Sequence, residues 1–100
     1  HHPPDDGDGS LLDSGRLWDL VRPHEQVKAL FYGHTHVRAH GELDRVQLIN
    51  LPALGYNFRD NQPVGWEAAR FHPEGVELTL RAVGGNRADS GRTLSIAWRR

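Results

Sequence analysis

The sequence predicts a strand-rich α/β chain with one or two short helices. Three observations carry that expectation. Leu17, Trp18, Leu20 and Val21 recur at helical spacing. Residues 27–32, Val-Lys-Ala-Leu-Phe-Tyr, form a short β-prone run. Val76, Leu78 and Leu80 alternate with Glu77, Thr79 and Arg81, the period-two pattern of a half-buried antiparallel strand.

Along the chain, residues 1–13 read as loop, with Pro3, Pro4, Gly7, Gly9 and the acidic cluster Asp5, Asp6 and Asp8. Asp13 or Ser14 offers an N-cap oxygen to a short helix that Pro23 stops. The run 27–32 suits a strand buried on both faces and ends at Gly33. Residues 37–40 and 45–50 are expected strands either side of a turn at 41–44. Residues 51–63 are irregular, broken by Pro52, Gly55, Asn57, Asp60, Asn61 and Pro63. Strands over 65–72 and 75–83 follow, joined by His72-Pro73-Glu74-Gly75. A polar loop over 84–91 precedes a last strand at 93–98. Trp18, Trp66 and Trp98 are expected to pack in the core or against a sheet.

Composition removes several classes of function. The 100 residues are 37% hydrophobic and 25% charged, with a mean hydropathy of -0.64 and a net charge of -1. A near-neutral surface gives no electrostatic case for binding a nucleic-acid polymer. No apolar run approaches the roughly 18 residues of a membrane-spanning helix, so no membrane partner is expected and the expected location is the cytoplasm. With no cysteine, disulfides, zinc-thiolate sites and thiol catalysis are excluded. A chain of this length buries about 65% of its unfolded surface, enough for one modest core. Its start, without a preceding apolar strand, reads as part of a larger domain.

The chemistry concentrates in histidine. Five of the seven fall in two places: His1 and His2, then His34, His36 and His40. In Tyr32-Gly33-His34-Thr35-His36 a strand leads into a glycine and then into imidazoles at i and i+2. Extended backbone would put both rings on one face; a turn would let them converge or reach two adjacent ions. Without thiolates, histidine and carboxylate are the strong ligands left for Zn, Mn, Fe, Co or Ni. The competing reading is a polar strand-end pair with no metal. At His1-His2-Pro3-Pro4 the two prolines hold the backbone stiff, so a ligand there loses little freedom on binding; the competing reading is a tag remnant. Asp5, Asp6 and Asp8 lack the terminal Glu of an EF-hand and read as a solvated loop. His40 reads as a surface strand residue. Arg38 and Arg59 suit bidentate phosphate contacts, against the commoner structural arginine. Tyr56, Asn57 and Phe58 are placed to line the mouth of a cleft.

The His-x-Pro stretch at residues 1–4, a short helix, and a strand running into Gly33-His34-Thr35-His36 together resemble the C-terminal half of the calcineurin-like metallophosphoesterases. With His-His-Pro-Pro, the sequence is most similar to bacterial cyclic-nucleotide and glycerophosphodiester phosphodiesterases. The resemblance covers residues 1 to about 60. It implies the C-terminal half of an αββα sandwich and a small-molecule phosphoester substrate. It also implies two divalent transition metals, Mn, Fe or Zn, with a bridging hydroxide as nucleophile. Carried over, His1 and His34 ligate one ion and His36 the other, His2 lies beside them, and Arg38 is a weak candidate for substrate contact. The family's Asp-x-His, Gly-Asp-x-x-Asp and Gly-Asn-His motifs are not in this sequence. Gly7-Asp8-Gly9-Ser10-Leu11 lacks the final Asp, and Gly85-Asn86-Arg87 has Arg where His is needed. The expectation is therefore a partial domain over 1–100, its N-terminal half absent, completed by a preceding segment or a second chain. Two alternatives stand: a non-catalytic fragment or interaction module with at most a structural metal, and a phosphomonoesterase.

Overall fold

Two three-stranded sheets and one short helix account for the regular structure in the computed structural model, which describes residues 1–4 and 10–100. The acidic positions Asp5, Asp6 and Asp8, with Gly7 and Gly9, lie outside the described residues. The chain is α/β and strand-rich, compatible with part of a sandwich domain.

Helix α1 spans Ser14–Val21 and stops two residues before Pro23. Trp18 anchors it as its buried aromatic. Its start differs from the expected cap. Asp13 occupies the N-cap position without a side-chain capping bond, and the Ser14 hydroxyl instead donates back to the Leu11 carbonyl at 2.7 Å. The far end is tied to a sheet: Arg22 pairs with Asp44 at 2.9 Å, and Arg45 donates to the Arg22 carbonyl at 2.7 Å.

The first sheet contains β1 (Ala29–Tyr32), β2 (Ala39–Leu43) and β3 (Val46–Asn50) in the order β1-β3-β2. β1 runs parallel to β3, whereas β2 and β3 form an antiparallel hairpin. The hairpin is longer than expected, taking Gly41, Glu42 and Leu43 into its ladder. It closes over Asp44 and Arg45, and Asp44 at φ 55° supplies the left-handed residue that a two-residue turn requires. β1 is also not buried on both faces. Each of its four residues is half-buried, because it is an edge strand with β3 as its neighbour.

The second sheet, β4 (Pro63–His72), β5 (Gly75–Gly85) and β6 (Thr93–Ala97), is an antiparallel meander in sequence order. Register sorts its faces. Leu80, Leu78 and Val76 stand opposite Glu67, Ala69 and Phe71, while Trp66 pairs with Arg81 on the other face. That placement leaves Trp66 50% exposed, so of the two expected places, core or sheet face, it takes the sheet face. Val76, Leu78 and Leu80 are buried, in keeping with their alternation.

The sheets meet through Ile49 of β3 and Val76, Leu78 and Ile96 of the second sheet, with Ala29, Phe31, Leu51 and Trp98 packed around them. Each fully buried aliphatic side chain here contributes about 1.5–3 kcal/mol. Backbone seams lock the two layers together. Ala53 bridges Val64 in parallel, and Gly65 donates to the Ala53 carbonyl at 2.8 Å. Gly65 sits beside a bulge, where a Cβ would run into the Arg81 carbonyl. This seam brings the irregular segment 51–62 against the C-terminal end of β1, where the histidines lie. No helix among the described residues is long and apolar enough to cross a membrane.

Candidate functional site

The site forms where β1 ends. Beyond Tyr32 the chain cannot continue as a strand, because two residues take left-handed backbone: His34 at φ 76° and His36 at φ 58°. Histidine tolerates this region better than most side chains, yet each such residue costs about 1–3 kcal/mol unless neighbouring structure enforces it. Here three hydrogen bonds enforce it. Gly33 donates its N–H to the His1 carbonyl at 2.9 Å. The Asn50 amide on β3 donates to the Thr35 hydroxyl at 2.6 Å. Arg38 N–H donates to the Gln62 side-chain oxygen at 2.9 Å. The segment is thus pinned at its start, middle and end by three different elements.

Because both histidines have positive φ, the extended arrangement with both rings on one face does not occur. Their rings go to different neighbours. His34 joins His1 and His2, with ring centroids 5.2 Å from His1 and 4.4 Å from His2. Its Nδ1 lies 3.3 Å from Nε2 of His1. His36 stacks on Phe58 at 4.0 Å, nearly parallel, and meets Tyr56 edge-on at 4.9 Å. Its Nδ1 is buried without a hydrogen-bond partner, and so is Oδ1 of Asn50.

The His1–His34 distance bears directly on metal binding. As a hydrogen bond it needs a proton on one of the two nitrogens; as a ligand pair it needs neither. Two nitrogens each about 2.0–2.1 Å from a tetrahedral ion stand about 3.3–3.4 Å apart, which is the separation observed. By its separation this pair suits either a hydrogen bond or one shared ion. His36 does not join it, its ring being held against Phe58. Among the described residues no group of three or more His, Asp or Glu side chains is arranged to hold a metal ion.

A cleft of about 360 Å³ opens beside these rings. Its walls include His1 at the chain's start, His34 and His36 beyond the end of β1, and Leu54, Gly55 and Tyr56 on the irregular segment. Phe58 is behind His36, and Asn57 turns away to donate to the Gln62 carbonyl at 2.8 Å. Of the expected lip residues, Tyr56 alone lines the cleft.

Arg38 lies elsewhere. Its Nε donates to Glu67 at 2.8 Å, and Glu67's side chain is only 3% exposed. Arg38 lines two smaller clefts, between β2 and the second sheet and beside Asn61 and Gln62, outside the histidine cleft. Arg59 is exposed on the loop. His40 sits on the exposed strand β2 and contacts the Gln47 side-chain oxygen at 2.7 Å. Gln47 in turn donates to Glu42 at 2.8 Å, and Arg99 donates to the same carboxylate at 2.9 Å. The Arg99 guanidinium, followed by the Gln47 amide, holds the Glu42 carboxyl below its usual 4.5.

Sequence reasoning missed the supports of the site: Asn50, Gln62 and Glu67. For Glu67 a signal existed. It occupies the phase of β4 that faces Leu80, so a charge there must be paired. Asn50 and Gln62 carried none, since their partners are 15 and 24 residues away.

No protein-family model matches the chain, and no solved structure matches it either. It is 28% identical over 74 residues to the 3',5'-cyclic adenosine monophosphate phosphodiesterase CpdA of Haemophilus influenzae, an alignment covering 66% of this chain. The chain spans 27% of the length of that curated relative.

Proposed function

We propose that this chain is part of a calcineurin-like metallophosphoesterase domain whose whole protein hydrolyses phosphodiesters. The observation that carries the reading is the 3.3 Å approach of His34 Nδ1 to His1 Nε2. It joins two motifs 33 residues apart in the order expected of that family. The likeness to a cyclic-nucleotide phosphodiesterase adds to it.

In this reading His1 and His34 hold one divalent cation and His36 serves a second, with Mn, Fe or Zn the candidates. Bound ions would supply Lewis-acid activation of water and neutralise phosphoryl charge. The chain's own residues present imidazoles from a backbone fixed by Gly33, Thr35 and Arg38, so little ordering is left to be done on binding. His2, in ring contact with both His1 and His34, confines their motion. The remaining ligands come from outside the described residues, from another segment or a second chain.

A second reading draws on His36. Its parallel stack on Phe58 is packing of the kind found in a non-catalytic module, with the histidines a structural site at most. Hydrolysis of bis(p-nitrophenyl) phosphate by the whole protein separates the two. Turnover that needs added Mn and is lost with chelator supports the phosphodiesterase. No turnover with Mn, Fe or Zn favours the module, and metal-independent turnover would remove the two-metal reading without supporting the module.

A further inference from the structure

Of the histidine cleft's walls, the least explained is the irregular segment, which holds large apolar side chains in water. Leu54 is 72% and Tyr56 62% exposed. Exposed apolar groups are common singly, but these two share one small cleft with three imidazoles. Tyr56 is also oriented. Its ring meets His36 at 70° and Phe58 at 74°, with centroids 4.9 and 5.6 Å away, while His36 and Phe58 lie parallel to each other. The three rings form a T-shaped block in which Tyr56 is fixed against the other two and still largely exposed.

We infer that Tyr56, with Leu54 beside it, is a stacking platform that selects phosphoesters carrying a planar base over those carrying only a sugar or alkyl group. This rests on the phosphoesterase reading of the same cleft. An alkyl chain gains only non-directional burial from such a ring, whereas a flat heteroaromatic group also gains from stacking, because its face lies parallel to a rigid partner that loses little entropy. The cleft, about 360 Å³, lies in the range that encloses small ligands. Anionic phosphate then meets the imidazole side while the base lies on the tyrosine. Tyr56 is a specificity-determining residue here, with no role assigned to it in the reaction itself.

The test compares adenosine 5'-monophosphate with ribose 5-phosphate, which keeps the sugar and phosphate and lacks the base. Binding to the whole protein is measured by calorimetry with Mn present, for the wild type, Tyr56→Leu and Tyr56→Phe. The expected result is that the wild type prefers the nucleotide about ten-fold, in line with aromatic stacking on a base. Tyr56→Leu brings the ratio near one by weakening only the nucleotide, and Tyr56→Phe restores it. Equal affinity for the two ligands in the wild type, no binding of either, or a ratio unchanged in Tyr56→Leu overturns the inference. The hydrolytic reading fails separately: a base-dependent ratio without turnover of any phosphodiester leaves the platform standing and removes the enzyme.

Discussion

Strand β5 and the segment 33–38 spend their sequence in opposite ways. In β5, Val76, Leu78 and Leu80 alternate inward on extended backbone and are at most 2% exposed. Segment 33–38 buries little, bends through two left-handed histidines, and depends on bonds from His1, Asn50 and Gln62 to keep its shape. One region is stabilised by what its own residues bury, the other by what distant residues hold. Substitutions should therefore affect stability in the first and ligand binding in the second.

Leu78→Ala should produce the largest loss of stability, about 2–5 kcal/mol for a truncated core leucine. Urea unfolding measures it, and metal binding by the protein that remains folded should be unchanged. A loss below about 1 kcal/mol would mean that the two sheets are not joined through this residue.

His34→Ala should do the reverse. Loss of a direct ligand should reduce metal-dependent hydrolysis by the whole protein more than about 100-fold, beyond what outer partners of a ligand cost. Stability should move within about 0.5 kcal/mol, as for other exposed side chains, and relief of the left-handed backbone is not expected because alanine tolerates it no better. Normal turnover would remove His34 from the site.

Glu67→Ala should fall between the two regions, because the Arg38–Glu67 pair ties the end of the segment to β4. Breaking a largely buried pair leaves Arg38 uncompensated, and its partial exposure reduces the cost to about 2 kcal/mol. Metal affinity should weaken along with stability, through looser hold on His36. If stability falls while affinity stays, the pair serves the sheets alone.

The smallest effect belongs to Glu42, whose carboxyl is held below its usual 4.5 by Arg99 and then Gln47. A lowered folded value contributes stability above the unfolded value and loses it as the pH falls through the folded one. The difference in urea midpoint between wild type and Glu42→Gln should therefore be constant above pH 4.5 and shrink below it. A difference that persists in acid would show that charge is not its source.

The same contrast explains what could be read in the sequence. The alternation of 76–80 placed β5 and its inward face without help, since the pattern is local and the face it predicts is the face it buries. The hairpin turn slipped because Asp44 can take the left-handed position, letting Gly41, Glu42 and Leu43 stay paired. β1 read as doubly buried from its composition, but burial depends on neighbours, and an edge strand has one. For the site, the histidines were legible as residue types and as motifs in order. Their geometry was not, because the positive φ values of His34 and His36 are imposed by hydrogen bonds from Asn50 and Gln62.

The central claim is that His1 and His34 serve one ion, and a double-mutant cycle on Mn or Zn affinity tests it most directly. Calorimetric titration of the whole protein would compare wild type, His1→Ala, His34→Ala and the double variant. A shared ion predicts that either single substitution removes the same binding step and that the double variant loses little more. Additive losses, or a step that survives in both single variants, would contradict it.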